Sequence, residues 1–271
     1  RLTSRVYGRS QEFDHLVQAW SYIGPNRSLH HIAIHGRAHI GKSLLVQSLA
    51  DYVQKTAHHC IVLHCREDKR RVAWHPIRLW LHEQIANYIT AQTGKQRDPF
   101  SIQTLQEALE LSPKQAQSLH EWLNSGPNEQ DLNEPSTAHT DLLFNLLSGP
   151  GSAPRRRLLI IENVQWADPP TQRLIRLLSH TTPRHPTLLL TTSRKPGHGM
   201  ERAEHLNLRA LDRSSINSLL SGQRGQRLAR DKRSRLVKLS AGNPGHANEL
   251  LRCHEPNCEC RHALRMTDLI C

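Results

Sequence analysis

The sequence lacks the features of a membrane or secreted protein. No apolar run approaches the roughly 18 to 20 residues that span a bilayer, and the N-terminus has no apolar signal-peptide core. These absences favour a cytoplasmic protein with no membrane partner. Aromatic residues make up only 4% of the chain, so Leu, Ile, Val and Ala must fill most of its core. The chain starts at Arg1 rather than Met, which indicates processing or excision from something longer.

Cysteines are few, and their placement does not indicate a disulfide framework. A chain of 271 residues without a secretion signal is not expected to rely on disulfides. Four of the six cysteines lie in the terminal stretch 253–271, near His254 and His262. This group has enough side chains for a zinc site, but it lacks paired Cys-x-x-Cys spacing. The alternative, which we favour, is free thiols on an unstructured tail.

Positive charge is in excess, with a net charge of +12 and a pI near 9.9. Such a balance allows contact with nucleic acid or other acidic partners. The densest basic groups are Lys69-Arg70-Arg71, Arg155-Arg156-Arg157 and Arg224 to Arg235. None is interleaved with aromatic residues, and we find no recognition helix or contiguous basic face. Solvated loops and helix faces are therefore the simpler interpretation, and direct nucleic-acid binding remains an open alternative.

One eight-residue stretch carries the strongest functional signal. Gly36-Arg37-Ala38-His39-Ile40-Gly41-Lys42-Ser43 matches the phosphate-binding pattern GxxxxGK[ST] at every fixed position. An apolar strand at 31–35 precedes it, and apolar spacing typical of a helix follows it from Leu44. This order of strand, loop and helix predicts a phosphate-binding loop. The alternative is a glycine-containing turn that binds nothing.

The chemistry of a phosphate loop explains these residue types. Gly36 and Gly41 let the backbone bend so that amide N–H groups face inward, and the following helix adds its partial positive end. Lys42 would reach the β- and γ-phosphates of a nucleotide, while the Ser43 hydroxyl would bind the bridging Mg²⁺. The sequence therefore predicts a nucleotide and Mg²⁺ as ligands.

A second candidate site follows the apolar strand 157–163, which ends in Glu162 and Asn163. In phosphate-loop ATPases, the strand that neighbours the loop ends in an acid that orients Mg²⁺, often followed by an acid that positions water. Glu162 can serve the metal, whereas Asn163 can hold a water but cannot accept its proton. The pair favours nucleotide binding over hydrolysis. The alternative is a strand that simply ends in polar residues.

Two further residues follow the neighbouring motifs. Asp168 precedes two prolines at the start of a predicted helix, so it is interpreted as a helix cap rather than a catalyst. The strand 187–193 brings Arg194 to its carboxyl end, where open α/β sheets bind ligands. Arg194 is therefore either a sensor of the γ-phosphate or a solvent-facing residue of the turn that follows.

Strands alternate with helices through most of the chain, and only helices follow. This order predicts a doubly wound parallel α/β sheet with a C-terminal helical lid. We expect a nucleotide-binding domain at 1–211 with a helical insertion at about 95–148, a lid subdomain at 212–252 and the tail at 253–271. Ser10 is expected to cap the first helix, and the strand 60–65 to be buried on both faces.

Five stretches occur in an order that is typical of a known family. They are Val6-Tyr7-Gly8-Arg9 with Glu12-Phe13, the loop Gly36 to Ser43, Ile160 to Pro169 with its Trp-Ala-Asp-Pro ending, Leu190-Thr191-Thr192-Ser193-Arg194, and Ser240-Ala241-Gly242-Asn243-Pro244. Together they span residues 6–252 and resemble the AAA-related STAND signalling ATPases. That family is found in MalT-like and LuxR-type regulators and in fusions to nucleotide cyclases and kinases.

The resemblance implies ATP as the nucleotide and a role for each matching residue. Gly8, Arg9 and Pro244 would frame the base. The loop residues and the start of the next helix would bind the phosphates: Gly36, Arg37, Ala38, His39, Ile40, Gly41, Lys42, Ser43 and Leu44. Ser43 and Glu162 would hold Mg²⁺. The catalytic positions would be those of Glu162, Asn163 and Arg194.

Two departures from the family shape the expected function. The family usually has Asp where Asn163 stands, which implies slow or absent turnover. Its members continue into a winged helix, repeats and an output domain, so the resemblance implies partners among other protein domains, or self-association. We therefore expect a regulatory ATP–Mg²⁺ switch. The alternatives are an active ATPase with another base, such as Asp168, or a basic nucleic-acid-binding regulator with a secondary nucleotide site.

Overall fold

The computed structural model describes residues 7–24, 27–55, 59–91, 98–127, 132–133, 136–149, 156–197, 199–222 and 229–253. Some residues named in the sequence analysis lie outside these ranges, namely Val6, Arg155, the span Arg224 to Leu228 and the tail after Cys253. The expectations placed on them therefore have no structural account. None of the described helices is long and apolar enough to cross a membrane.

Five parallel strands form one sheet, as the alternating pattern predicted. The strands are β1 (Leu29–His35), β2 (His59–His64), β3 (Arg157–Glu162), β4 (Thr187–Ser193) and β5 (Glu204–Asn207). Their order across the sheet is β2-β3-β4-β1-β5, and β3, β4 and β1 lie in its centre. β3 and β4 are buried along their whole length, which agrees with their continuous apolar sequence. The predicted doubly wound α/β fold is confirmed.

Ten helices are described around this sheet. They are α1 (Ser10–Tyr22), α2 (Lys42–Gln54), α3 (His75–Ala91), α4 (Ile102–Leu109), α5 (Pro113–Asn124), α6 (Thr137–Ser148), α7 (Pro169–His180), α8 (Arg213–Leu220), α9 (Arg230–Leu239) and α10 (Pro244–Cys253). The helices α4, α5 and α6 fall in the predicted insertion. Short 3₁₀ turns at Glu67–Lys69 and Val164–Trp166 complete the list.

Hydrophobic clusters cover both faces of the sheet. One contains Leu45 and Leu49 of α2 with Leu16 and Trp20 of α1. The other contains helices of the insertion and α7, and Trp122 of α5 lies deep within it. A third cluster is formed by residues around α8, α9 and α10, which have their own core of Leu211, Ile216, Leu220, Leu236, Ala247 and Leu251. The domain boundary between residues 211 and 212 stays a prediction, and this third core begins at Leu211, just before it.

Three local expectations are wrong. β3 does not neighbour the phosphate-loop strand, because β4 pairs with both β1 and β3 and separates them. β2 is an edge strand rather than one buried on both faces, since only Ile61 and Leu63 are buried there. Ser10 is the first residue of α1, and Arg9 holds the N-cap position without a side-chain cap.

A buried histidine on β1 makes the fold sensitive to acid. His31 is buried, and its ring hydrogen-bonds to the hydroxyls of Ser179 and Thr191 at 2.8 and 2.9 Å. Burial lowers the pKa of His31 from 6.5 to about 3. Below pH 6.5 the His31 imidazole is protonated in the unfolded chain but stays neutral in the folded chain. The free energy of unfolding therefore falls as the pH decreases towards 3.

We expect the free energy of unfolding to drop by about 2 kcal/mol between pH 7 and pH 5 because of His31 alone. Urea denaturation at the two pH values measures this loss. His31→Gln should reduce the pH dependence by that amount, whereas His82→Gln, at an exposed position on α3, should keep it. Equal pH dependence in His31→Gln and the unchanged protein would contradict the assignment.

Candidate functional site

The phosphate loop lies between β1 and α2 and has the bent backbone that its glycines predicted. Gly36 has φ +154° and Gly41 has φ +104°. A Cβ at position 36 would lie 2.9 Å from the carbonyl oxygen of Leu208, so a side chain is excluded there. Gly41 holds the N-cap position of α2 in a left-handed conformation, which favours glycine.

The other loop residues differ in exposure. Arg37 and His39 are exposed, Ala38 is partly buried, and Ile40 packs in the cluster that contains α2. Leu44 is 47% exposed on the first turn of α2. The predicted phosphate-binding residues therefore lie on one continuous loop, while their binding role stays a prediction.

Lys42 is held inside the loop. Its side chain is buried, and the ammonium group donates hydrogen bonds to the carbonyl oxygens of Gly36 and Arg37, both at 2.8 Å. Burial and the nearby Arg194 guanidinium lower the pKa of Lys42, while the Glu162 carboxylate acts in the opposite direction. The ammonium group is thus partly withdrawn from water and feels both the Arg194 cation and the Glu162 carboxylate.

The hydroxyl of Ser43 donates a hydrogen bond to Oε2 of Glu162. Glu162 is only 4% exposed, at the carboxyl end of β3, and Nδ1 of His64 lies 3.6 Å from its Oε1. β4 lies between β1 and β3, so the serine on α2 reaches the carboxylate across the end of the sheet. A hydroxyl beside a buried carboxylate is a donor set of the oxygen type that Mg²⁺ prefers, so these residues fit the predicted metal.

Asn163 follows Glu162 in a left-handed conformation with φ +57°. Asn tolerates this region better than most residues because its short polar side chain bonds locally. Its backbone N–H donates to Oγ1 of Thr192 at 3.0 Å. This bond connects the end of β3 to the end of β4 and holds the backbone of Asn163 in place. The predicted water-holding role of its side chain stays a prediction.

Arg194 lies directly after β4, at the same edge of the sheet. Its guanidinium carbon lies 5.6 Å from the ring centroid of Trp166, which belongs to the Trp-Ala-Asp-Pro segment. Both residues line a cavity of about 420 Å³ whose apolar wall includes Ile175 and Met200. Arg194 is exposed and close enough to lower the pKa of Lys42. The sensor role of Arg194 therefore stays a prediction, as does its alternative as a solvent-facing residue of the turn.

Arg9 connects three parts of the chain. Its guanidinium donates to Oε1 of Glu12 at 2.8 Å and to the backbone oxygens of Ile40 and Arg209. Gly8 packs against α8, because a Cβ there would lie 2.6 Å from Cβ of Ser215. Both residues were predicted to frame a base. The described contacts show Arg9 holding the phosphate loop and the segment before α8.

Asp168 is a structural residue in this arrangement. It caps α7 and accepts hydrogen bonds from the backbone N–H groups of Thr171 and Trp74, both at 3.0 Å, and from the Thr171 hydroxyl at 2.9 Å. The carboxyl group is buried, and burial raises its pKa. The predicted cap is confirmed. Because the carboxylate already accepts these three hydrogen bonds, it is poorly placed to take a proton from water as an alternative catalytic base.

The start of α10 sits directly on the phosphate loop. The Asn243 side-chain amide donates to the Ala38 carbonyl at 3.0 Å, and the Gly245 N–H donates to the His39 carbonyl at 3.1 Å. Between them, Pro244 lies above Gly41: a Cβ at position 41 would be 3.8 Å from Cγ of Pro244. The sequence indicated Pro244 but not these two bonds, although the Gly-Asn-Pro-Gly turn was a visible signal.

The remaining candidate groups are the possible metal ligands, the cysteines and the basic cluster at 155–157. Within the described ranges, no group of three or more His, Cys, Asp or Glu residues has a metal-binding arrangement. Cys60 and Cys65 are free thiols, and burial raises the pKa of both. The basic group at 155–157 is not simply solvated, since Arg157 is buried.

The fold is similar to those of solved ORC1 and DnaA structures, and a STAND protein gives a weaker match. The ORC1 protein of Aeropyrum pernix in complex with DNA matches with a TM-score of 0.56 and 12% identity, over 93% of this chain and 60% of that one. AMPPCP-bound DnaA from Aquifex aeolicus matches with a TM-score of 0.50 and 8% identity, over 92% and 62%. A STAND protein with a tetratricopeptide repeat sensor from Pyrococcus horikoshii has a TM-score of 0.48 and 14% identity, over 94% and 31%.

These identities are low, so the first two likenesses concern the fold, and the third is too weak to support a subtype. The chain spans about 60% of the length of these ORC1 and DnaA chains. No curated protein sequence matches it. The family model described as the AAA ATPase domain matches residues 5–190, which is more than half of the chain. The protein therefore belongs to the AAA ATPase domain family.

Proposed function

We propose that the protein is an ATP–Mg²⁺-binding regulatory switch of the STAND type, in signal transduction or transcription regulation, with slow or absent hydrolysis. The observation that carries this proposal is the convergence of Lys42, Ser43, Glu162 and Arg194 at one edge of the sheet. The cations of Lys42 and Arg194 and the N–H groups of the loop can bind phosphates. The Ser43 hydroxyl and the Glu162 carboxylate offer the oxygen ligands that Mg²⁺ prefers. A cytoplasmic location fits this role.

Each residue has a part in the proposed complex. Gly41 and Lys42 bind the phosphates, while Ser43 and Glu162 hold the metal, which when bound neutralises phosphate charge. Arg194 detects the γ-phosphate from the end of β4. Pro244, which lies over Gly41, brings α10 to the nucleotide together with Gly8 and Arg9. Because α10 contacts the loop directly, a bound nucleotide changes the position of the helices that follow residue 211.

Slow hydrolysis follows from the side chain at position 163. An amide can orient a water molecule but cannot take its proton, and Glu162 is committed to Ser43 and the metal. Asp168, the base that an active ATPase would need instead, is buried with three hydrogen bonds at the start of α7. These contacts support a binding switch over a remodelling enzyme.

Calorimetric titration of the protein with ATP and with ADP, each with Mg²⁺ and with EDTA, tests the proposal alongside a phosphate-release assay. We expect micromolar binding that Mg²⁺ strengthens, with negligible release. Glu162→Gln should lose about tenfold in affinity for Mg²⁺–ATP, because the metal loses a charged oxygen ligand, and should change little with EDTA. Glu249→Gln, an exposed change on α10, is the matched control.

Each outcome of this experiment has a definite meaning. No binding of either nucleotide would reject the proposed function. Rapid phosphate release would retain nucleotide binding but reject the switch with slow turnover. Equal loss of affinity with Mg²⁺ and with EDTA would show that Glu162 acts on the loop rather than on the metal.

A further inference from the structure

A basic groove lies between α8 and α9, and its lining includes none of the predicted phosphate-binding residues. It encloses a cavity of about 440 Å³. Arg213, Ser214 and Asn217 of α8 form one wall. The other wall is formed by residues of α9: Arg230, Arg233, Ser234 and Val237. Three arginines thus face one cavity, together with hydroxyl and amide groups.

Helical spacing explains why the arginines come together. On α9 the groove residues recur at intervals of three and four, which places them on one face, while Leu236 is fully buried. Ile216 and Leu220 of α8 join Leu236 in the same cluster. The hydrophobic core therefore fixes the two helices side by side and leaves their basic faces at the surface.

In the sequence segment that contains the groove, basic residues outnumber acidic ones. Residues 209–252 contain ten Lys or Arg residues and three Asp or Glu residues, a net charge of +7 out of +12 for the chain. Asp212, next to Arg213, caps its own helix by accepting from the Ser215 N–H and the Ser214 hydroxyl. Arg233 donates to the Ser221 hydroxyl at 3.0 Å, which orients its guanidinium.

We propose that this groove binds the phosphate backbone of nucleic acid. Guanidinium groups pair with phosphate oxygens through parallel hydrogen bonds, and hydroxyl and amide groups add further donors. The other faces of α9 carry Lys232, Arg235 and Lys238, so the positive field extends beyond the three arginines of the groove, which suits a polymer of phosphates better than a single anion. Val237 is the one apolar side chain among the described lining residues, so the groove does not resemble a lipid-binding surface.

The same lining predicts how nucleic acid is recognised. No aromatic side chain is among the described residues of the groove, so bases have no surface for stacking there. Recognition therefore depends on the phosphates, and it is independent of sequence and sensitive to salt. Three arginine–phosphate contacts predict that raising salt from 50 to 200 mM weakens duplex binding by at least about 40-fold.

Fluorescence anisotropy with labelled 20-base-pair DNA duplexes of two unrelated sequences tests the proposal. We expect similar affinities for both duplexes, and the double variant Arg213→Gln/Arg230→Gln should reduce the slope of log affinity against log salt by about 1.8. Both arginines are exposed, so the core should be unaffected. The matched control is Arg70→Gln/Arg71→Gln, in the exposed loop between β2 and α3, which should keep the full slope.

Three results would overturn the proposal: no binding of DNA at 50 mM salt, equal weakening by both double variants, or binding of anionic vesicles with no binding of DNA. The ATP titration is repeated on the groove variant. Unchanged ATP affinity together with lost DNA binding would locate the effect in the groove, and it would leave the proposed nucleotide site intact.

Discussion

Replacing Lys42 with alanine is expected to weaken ATP binding by about 10- to 150-fold. The Lys42 ammonium is the cation at the start of α2 that lies within the loop. Losing its charged hydrogen bond to a phosphate should cost about 1.5–3 kcal/mol, which corresponds to this change in affinity. Calorimetric titration with Mg²⁺–ATP measures the change. Lys55→Ala, at the exposed C-terminal end of α2, should leave the affinity unchanged.

The variant also removes two bonds within the loop, so its fold must be checked. Lys42 donates to the carbonyl groups of Gly36 and Arg37, and their loss alters the free loop. Thermal unfolding without nucleotide separates this effect from lost phosphate contacts. A Lys42→Ala protein that unfolds normally and still binds ATP with full affinity would refute the nucleotide site.

Replacing Asp168 with alanine should lower the free energy of unfolding by about 3 kcal/mol. The change removes a helix cap and also leaves the buried N–H of Trp74 without its acceptor. Asp212→Ala is a matched control, because Asp212 caps α8 in the same way from an exposed position and should cost about 1 kcal/mol. Urea denaturation of both variants gives the comparison.

Asp168→Asn distinguishes structure from catalysis at the same position. The amide oxygen can still accept from the Trp74 and Thr171 N–H groups, so we expect the variant to fold with a smaller loss of stability than alanine causes. If Asp168 only caps α7, any basal phosphate release stays unchanged. A specific loss of turnover in the folded Asp168→Asn protein would revive the active ATPase.

Local sequence signals predicted the parts of the site that depend on local chemistry. The GxxxxGK[ST] pattern located the phosphate loop because its glycines and lysine are contiguous. The strand ends carrying Glu162 and Arg194 were found because buried parallel strands read as continuous apolar runs. Asp168 was identified as a cap because prolines follow it.

Features that depend on contacts between distant segments were missed. The position of β4 between β1 and β3 is a matter of strand pairing, which apolar runs do not encode. Arg213 and Arg230 are far apart in sequence, so the groove appeared only once α8 and α9 were placed side by side. The partners of Arg9, which include carbonyl groups of Ile40 and Arg209, could not be read from its motif.

The two bonds from α10 to the phosphate loop have a thermodynamic consequence. Asn243 and Gly245 hold the carbonyl groups of Ala38 and His39, so any ligand that favours one backbone arrangement of the loop also changes the free energy of docking α10. Linkage makes this effect reciprocal and equal in size. If the proposed nucleotide site is occupied, a protein partner that binds α10 is therefore expected to change nucleotide affinity without touching the nucleotide, and the two affinities should rise or fall by the same factor.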